Sequence, residues 1–338
     1  MLLSNPEFVE NSEYGFAVAR IRALENRLIT GASFNQLINS SEERFIPFLE
    51  ELAGIGIKEE DTVDDILEKL EWNLTETFFL VKGLLIEDEY KRLISLKYDY
   101  ELLKLIIKEQ GGGRVKSHKY TSLRSNYTYP VMKSLIEAGN FLDLGKYISA
   151  AYQKSTETKS ITGKEIDIIC DRAYFNEVFD CLNSRPNPFI EGFYRRKIDT
   201  INLTSMLRLK NRGEKRPQIN EVFIPNGSID IDHFEESFEL TFDAISTRLN
   251  FAWFSNILQT IPKGGEEDDN IALLERVLDE GLMNYLKESI YVTFGVEPVI
   301  SYLFKMELQT NNLRLIVLSR YSGLSADDIK RNVRGMNE

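Results

Sequence analysis

An internal repeat restricts the folds open to this chain more than any other feature of the sequence. Three segments align without gaps at offsets of 100 and 110 residues, namely 97–113, 197–213 and 307–323. Apolar residues recur in shared columns that are spaced three residues and then one apart, as on one buried helix face. The columns are Tyr90, Ile190 and Ile300; Leu93, Phe193 and Leu303; Ile94, Tyr194 and Phe304; Leu103, Leu203 and Leu313; Ile106, Met206 and Ile316; and Ile107, Leu207 and Val317. The repeat predicts three equivalent helical units.

Each aligned segment closes with a glycine, which indicates a helix C-terminus in a left-handed conformation. These glycines are Gly113, Gly213 and Gly323. Asn202 and Asn312 also occupy one column of the alignment, but the first segment has no asparagine at that position. A fortuitous alignment of amphipathic helices is the alternative explanation, but three evenly spaced matches favour a true repeat.

The repeat divides the chain into predicted units 1–113, 114–218 and 219–338. A unit of this size cannot close a core alone, so the three units are expected to pack side by side around a pseudo-threefold axis. Such an axis leaves either a hole or a socket at the centre. Helical periodicity also predicts helices over 62–80, 90–109, 165–179 and 270–290, and strand signals are few, so the predicted fold class is all-α.

The composition of the chain disfavours one class of partner and indicates a cellular compartment. Among 338 residues, 41 Lys and Arg oppose 53 Asp and Glu, for a net charge of −12, which argues against nucleic acid as a partner. There is no uncharged apolar run of ~18 residues and no signal-peptide pattern at the start. The two cysteines suit a reducing compartment. A cytoplasmic location without a membrane span is therefore expected.

Three stretches of the chain resemble a known family. They are 14–29 (YGFAVARIRALENRLI), 201–213 (INLTSMLRLKNRG) and 295–333, which contains Gly-Val-Glu-Pro at 295–298 and Asn-Leu-Arg at 312–314. Together they resemble the C subunit of the bacterial and archaeal V-type ATPase, whose eukaryotic counterpart is the d subunit. The resemblance implies an all-α fold in which three pseudo-threefold-related helical units form a funnel with a central cavity.

The same resemblance implies a role without catalysis. The family member sits on the membrane rotor ring and holds the foot of the central shaft in its cavity. It transmits torque for ATP-coupled proton or sodium transport and has no active site or cofactor of its own. The implied partners are the shaft subunits and the ring. The implied location is peripheral, on the cytoplasmic side of the membrane, and the isolated protein is expected to be a monomer.

Two other functions stay open from the residues alone. No GxxxxGK loop followed by Ser or Thr is present, and the only histidines, His118 and His233, are far apart, so nucleotide and zinc sites are disfavoured. Asp64, Asp65 and Glu68 form a DDxxE pattern that suits a helical Mg-dependent enzyme, although acids at a helix N-terminus are the better explanation. A peptide-binding helical scaffold is the remaining alternative.

Basic residues cluster at the turns that close the repeats, although the chain is acidic. Under a pseudo-threefold arrangement these turns would lie on one face and contact a partner or the headgroup region. Their alternative role is to complement helix C-termini. The candidate partner-binding residues are Arg114, Lys116, Arg212, Lys215, Arg216 and Arg320.

Overall fold

The computed structural model describes residues 7–113, 118–157, 161–261 and 267–334, and these residues form helices and no strand. The all-α prediction is therefore confirmed. In the first half of the chain the helices are α1 (Gly15–Glu25), α2 (Gly31–Ile38), α3 (Glu42–Ala53), α4 (Val63–Leu84), α5 (Asp88–Gln110), α6 (Lys119–Arg124), α7 (Tyr129–Glu137), α8 (Phe141–Leu144) and α9 (Lys146–Thr156). In the second half they are α10 (Gly163–Ser184), α11 (Pro188–Asn211), α12 (Ile219–Val222), α13 (Ile231–Ser237), α14 (Phe242–Arg248), α15 (Ser255–Thr260), α16 (Glu267–Lys287), α17 (Glu297–Tyr321) and α18 (Ala326–Asn332).

Six of these helices are long, and they occur as three successive pairs: α4 and α5, α10 and α11, and α16 and α17. Helices α4 and α10 begin in the same way, 100 residues apart. Thr62 and Thr162 each accept a hydrogen bond from the third helical residue, whose own side chain, Asp65 or Glu165, binds back. A capping box of this kind stabilises a helix start by about 1 kcal/mol.

The second long helix of each pair packs on the first long helix of the next pair. Helix α5 packs on α10, α11 packs on α16, and α17 returns to pack on α4. The contacts therefore close on themselves, and the first and last long-helix pairs meet at the α17–α4 contact.

The three helices α5, α11 and α17 share one core in their N-terminal halves and separate in their C-terminal halves. Leu93, Phe193 and Leu303 all belong to a single hydrophobic cluster. The later column diverges: Ile107 stays in that cluster, Leu207 lies in a second one with α12–α16, and Val317 lies in a third one with α2–α4 and α18.

The prediction that a left-handed glycine ends each of these helices is confirmed in two repeats. In the first repeat it is wrong by one residue. Gly213 and Gly323 have φ of 70° and 75°, but in the first repeat the left-handed residue is Gly112, with φ of 82°, and not Gly113. Gly113 instead donates its N–H to the carbonyl of Lys108. The alignment could not identify which glycine is left-handed, because the first segment ends in three consecutive glycines.

Across the described ranges, no helix combines the length and the apolarity that crossing a bilayer requires.

Candidate functional site

The starts of α5, α11 and α17 converge on a buried carboxylate. Glu87, Asn187 and Glu297 occupy one column of the repeat, and Glu297 is fully buried. Its Oε1 accepts hydrogen bonds from Asn187 Nδ2 and from the Val9 amide, both at 2.9 Å. A Cβ at Gly295 would lie 2.2 Å from Glu297 Oε2, so a glycine is needed there. The Gly-Val-Glu-Pro motif thus has a structural cause.

Glu87 links the same end of the molecule to two other segments. Its Oε1 accepts from Arg185 Nη2 at 2.7 Å, and its other oxygen accepts from the Tyr14 hydroxyl. That hydroxyl in turn accepts from the Ile86 amide at 3.1 Å. Burial and the bond to Glu87 raise the pKa of Tyr14 well above its ordinary value, so the phenol stays a donor. The N-terminal segment therefore fastens all three helix starts together.

An aromatic layer follows these polar contacts along the helices. Phe304 of α17 stacks on Phe193 of α11, with ring centroids 4.7 Å apart, and meets Tyr194 edge-on at 6.1 Å. Tyr194 is almost completely buried. Aromatic packing of this kind fills the space between the helices at this level.

One turn further on, a charged column brings the three helices together. Lys97, Lys197 and Glu307 are equivalent in the repeat, and each interacts electrostatically with the other two. Lys97 Nζ lies 3.1 Å from Glu307 Oε2, and the Tyr98 hydroxyl also donates to Glu307. Burial would raise the pKa of Glu307, but these cations and donors lower it, so the carboxylate stays ionised.

A cavity of about 460 Å³ opens beside this charged column. Its lining comes from α4, α5, α6 and α17 and includes Glu71, Lys97, Glu101, Glu307 and Arg314. Burial raises the pKa of Glu101. The lining is therefore polar and ionisable, which suits recognition of another polar surface better than an apolar ligand.

The contacts between the long-helix pairs carry ion pairs at equivalent positions. Lys104 binds Asp171 at 2.6 Å between α5 and α10, and Arg314 binds Glu71 between α17 and α4. At the third contact, between α11 and α16, Thr204 occupies the position of the basic residue. The acid there, Asp279, binds Arg334 instead, at 2.5 Å.

A second set of ion pairs lies one turn along. Lys108 binds Asp167 at 2.7 Å, and Arg208 binds Glu275 at 2.6 Å. At the third contact both positions are leucines, Leu67 and Leu318. Lys104, Lys108 and Arg208, which belong to the basic clusters near the repeat turns, therefore bind acids within the chain.

The six candidate partner-binding residues have different environments. Arg114 and Lys116 lie outside the described residues. Arg212, Lys215 and Arg216 are exposed on one turn, where Arg216 binds Glu235 at 3.2 Å. Arg320 is half-buried, donates to the Ser40 carbonyl at 2.8 Å and lies over the Phe45 ring. Its guanidinium thus joins α17 to the loop before α3.

The DDxxE residues serve other roles in the fold. Asp65 is part of the capping box with Thr62, and Glu68 accepts from Lys119 Nζ and from the Tyr120 hydroxyl, both at 2.7 Å. Within the described part of the chain, no group of three or more His, Cys, Asp or Glu side chains is placed to hold a metal ion.

The shared asparagines have a structural role in two repeats. Asn202 exchanges two hydrogen bonds with the backbone of Ile224, and Asn312 does the same with Arg334, in both cases 22 residues downstream. At the offset of 100 the corresponding residue of the first repeat is Leu102.

Sequence reasoning missed two buried acids in another column. Asp99 accepts from the amides of Asn126 and Tyr127, and Asp199 accepts from those of Ser228 and Ile229. Burial raises the pKa of Asp99 to about 7 and that of Asp199 to about 6. An acid repeated at an offset of 100 within otherwise apolar helix faces was the available signal.

Exposed apolar side chains gather near the helix starts. Phe16, Ile290 and Tyr291 are 74%, 62% and 75% exposed. The Asn11 amide donates to the Phe294 carbonyl, which brings the N-terminal segment beside this loop. A cluster of exposed aromatic residues is typical of an interaction surface.

Comparison with known proteins decides the family. The model of the ATP synthase (C/AC39) subunit family matches residues 17–332. The chain belongs to this family. It is 24% identical over 338 residues to the C subunit of the A-type ATP synthase of Thermococcus kodakarensis, covering 95% of this chain and 90% of that protein. The protein of the same name from Methanococcoides burtonii is 24% identical, with 96% and 94% covered.

One relative of this chain is named for sodium. The C subunit of the V-type sodium ATPase of Enterococcus hirae is 23% identical over 322 residues, covering 93% of this chain and 96% of that protein. These findings confirm the family that the sequence resembles. By their names, the matched family and these relatives are subunits of ATP synthases and of a V-type sodium ATPase.

Proposed function

We propose that this member of the C/AC39 family is the non-catalytic rotor adaptor of an A/V-type ATPase. It links the central shaft to the membrane ring and transmits torque for ATP-coupled proton or sodium transport. The observation that carries the proposal is the closed set of contacts in which α5 packs on α10, α11 on α16 and α17 on α4. A collar held by three long-helix contacts is stiff, because packed helix interiors compress little.

The proposed architecture is a funnel of three pseudo-threefold-related units, 1–113, 114–218 and 219–338. Two observations support it. The N-terminal halves of α5, α11 and α17 share one core, and the C-terminal halves of α11 and α17 diverge from it into two further clusters. Equivalent columns also carry equivalent ion pairs between successive units. In this arrangement the narrow end is closed by Glu297 and the aromatic layer, so the centre is a socket and not a hole.

The proposed partner surfaces lie at the two ends of these helices. The exposed basic turn with Arg212, Lys215 and Arg216 is at the end where the helices separate, and the exposed cluster around Phe16 and Tyr291 is at the closed end. Arg114, Lys116 and Arg320 stay predicted partner-binding residues. The protein is then peripheral, on the cytoplasmic side of the membrane.

A reconstitution tests the proposed function. A rotary ATPase depleted of this protein receives the purified chain, and ATP-driven ion pumping into vesicles is measured. Restored coupling between ATP hydrolysis and pumping is the expected result. Pumping that is the same with and without the chain would contradict the adaptor role.

A charge reversal tests the basic surface separately. Lys215→Glu together with Arg212→Glu should weaken association with the complex, and added salt should reduce the difference from the wild type. Glu214→Lys, on the same turn, is the matched control. Unchanged association and unchanged salt sensitivity would remove this surface from the proposal.

A further inference from the structure

Three equivalent residues on α5, α11 and α17 each hold a loop by its backbone. Asp99, Asp199 and Gln309 occupy one column of the repeat. The two acids accept from the loop amides described above, and Gln309 accepts from the Ile29 amide at 2.8 Å. In all three cases a helix, α7, α13 or α2, begins two residues after the last bonded amide. We call each of these side chains, with the loop it binds, a loop clamp.

Two of the three loop clamps are acidic and closed to water. Asp99 and Asp199 are fully buried, whereas Gln309 is half-buried. A Cβ at Gly227 would collide with Asp199 Oδ1, so the backbone of this loop lies directly against the acid. A carboxylate enclosed in this way is costly unless hydrogen bonds or a bound proton compensate its charge.

The second oxygen of each acid faces a group that can either donate or accept a hydrogen bond. Asn126 Nδ2 lies 2.6 Å from Asp99 Oδ2, and the Ser228 hydroxyl donates to Asp199 Oδ2. A side-chain amide can turn to present its carbonyl, and a hydroxyl can turn to present a lone pair. Each partner can therefore accept from a protonated carboxyl, while the backbone amides stay bound to Oδ1. The closed clamp accommodates the neutral acid without losing a hydrogen bond.

Charged groups from two other helices act on Asp99. Burial is the main cause of its raised pKa, and Glu177 of α10 raises the pKa further by repelling the negative charge. Lys82 of α4 attracts that charge and acts in the opposite direction. Tyr100 and Tyr127 also interact with Asp99, but burial raises the pKa of both phenols, so they stay neutral.

A cation acts on Asp199 as well. Burial raises the pKa of Asp199, and Arg196 on the same helix opposes this without cancelling it. The Arg196 guanidinium donates to the Gly192 carbonyl at 3.2 Å and lies over the ring of Tyr285 of α16, 4.0 Å from the centroid. Both acids therefore keep a raised pKa although each has a cation nearby.

We propose that Asp99 and Asp199 are proton-sensitive loop clamps, which hold their loops closed when protonated and release them as the pH rises. The clamp at Gln309 has no titratable group, so its loop should be equally stable over the same pH range. Two of three equivalent loops would then respond to pH. This device is independent of the proposed function.

The direction of the response follows from proton linkage. Opening a loop admits water to the acid and returns its pKa towards the ordinary value of ~3.9. Opening therefore releases a proton and becomes more favourable with rising pH, up to the pKa of the closed clamp. That pKa is about 7 for Asp99 and about 6 for Asp199, so the Asp99 loop should respond over the wider range.

Hydrogen exchange of the purified chain at pH 5 and pH 7 tests the proposal. Each rate is divided by the rate of an unfolded peptide at the same pH, which gives a protection factor. Protection should fall on the order of tenfold or more at 126–127, severalfold at 228–229, and less than about twofold at Ile29. Equal losses at all three places would mean that the whole chain loosens, and would overturn the proposal.

Two variants, each the matched control of the other, assign the response to the acids. Asp99→Asn keeps an acceptor for the backbone but cannot titrate, and Gln309 shows that an amide in this column is compatible with a closed loop. In Asp99→Asn the protection at 126–127 should agree within about twofold at the two pH values, while 228–229 keeps its response. Asp199→Asn should give the reverse.

A response at 126–127 that persists in Asp99→Asn would overturn the proposal. The comparison of the three loops in the wild type needs no variant, so it remains decisive if either substitution prevents folding.

Discussion

In their N-terminal halves α5, α11 and α17 share one hydrophobic cluster and are tied together by buried polar groups at Glu297. In their C-terminal halves α5 stays in that cluster, α11 and α17 join two other clusters, and all three helices bind a neighbouring long helix through ion pairs. In the first region the packing of each helix depends on the other two, so no helix can separate from the others by itself. The second is a set of local contacts, and those of α11 and α17 can open without disturbing the shared cluster.

The difference predicts where the molecule is rigid. Buried apolar contacts and satisfied buried hydrogen bonds give high local stability, and exposed ion pairs give little. The proposed role in torque transmission requires one stiff region and one region that adapts to a partner. The closed end of the helices supplies the first, and their separated ends supply the second.

The largest effect should come from matched core truncations in the two regions. Leu303→Ala and Leu313→Ala should each lower the free energy of unfolding by about 2–5 kcal/mol in denaturant titrations. Hydrogen exchange should differ between them: Leu303→Ala should speed exchange in α5, α11 and α17, and Leu313→Ala only in α2–α4, α17 and α18. The same exchange pattern in both variants would break the comparison.

Asn187→Ala removes one donor from the buried carboxylate of Glu297 and one N-terminal cap from α11. The expected cost is about 1–3 kcal/mol, because a buried acceptor loses a partner. Asn220→Ala, which breaks an exposed bond to Glu235, is the control and should cost less than about 0.5 kcal/mol. Equal costs would show that the buried carboxylate does not stabilise the shared end.

The buried acid Asp99 predicts a pH dependence. Burial raises its pKa to about 7, so its contribution to stability is fully present below the unfolded pKa of ~3.9 and is lost as the pH rises through about 7. Asp99→Asn should therefore flatten the decline in unfolding free energy between pH 4 and 7 by on the order of 1–3 kcal/mol. Asp64→Asn, at an exposed position, is the control, and an unchanged slope in Asp99→Asn would refute the prediction.

The smallest effects should come from the ion pairs of the separated halves. A double-mutant cycle between Arg208 and Glu275 should give a coupling of about 0.2–1 kcal/mol that weakens with salt. Lys108 and Asp167 should behave in the same way. A salt-independent coupling above about 2 kcal/mol would mean that these contacts are as rigid as the shared core.

The sequence predicted the helices and their buried faces, because periodicity and repeat columns record local structure and burial. It could not predict which equivalent residues meet. Ile107, Leu207 and Val317 share a column and lie in three different clusters, whereas Lys97 and Glu307 share a column and form an ion pair. A shared column predicts a similar environment for its residues, but the distance between those residues depends on how the helices pack.

The candidate basic residues show the same limit. The candidate residue Arg320 donates to the Ser40 carbonyl, 280 residues away in sequence. Three other basic residues near the turns, Lys104, Lys108 and Arg208, bind acids on the neighbouring helix that lie 59 to 67 residues away, which no local pattern reveals.

The most direct test of the rotor assignment is a covalent link between this chain and the shaft. A disulfide formed between engineered cysteines on the two proteins is compared with a disulfide between this chain and a stationary part of the complex, and ATP-driven pumping is measured before and after reduction. The adaptor role predicts full pumping with the shaft link and none with the stationary link until it is reduced. Loss of pumping with the shaft link would contradict it.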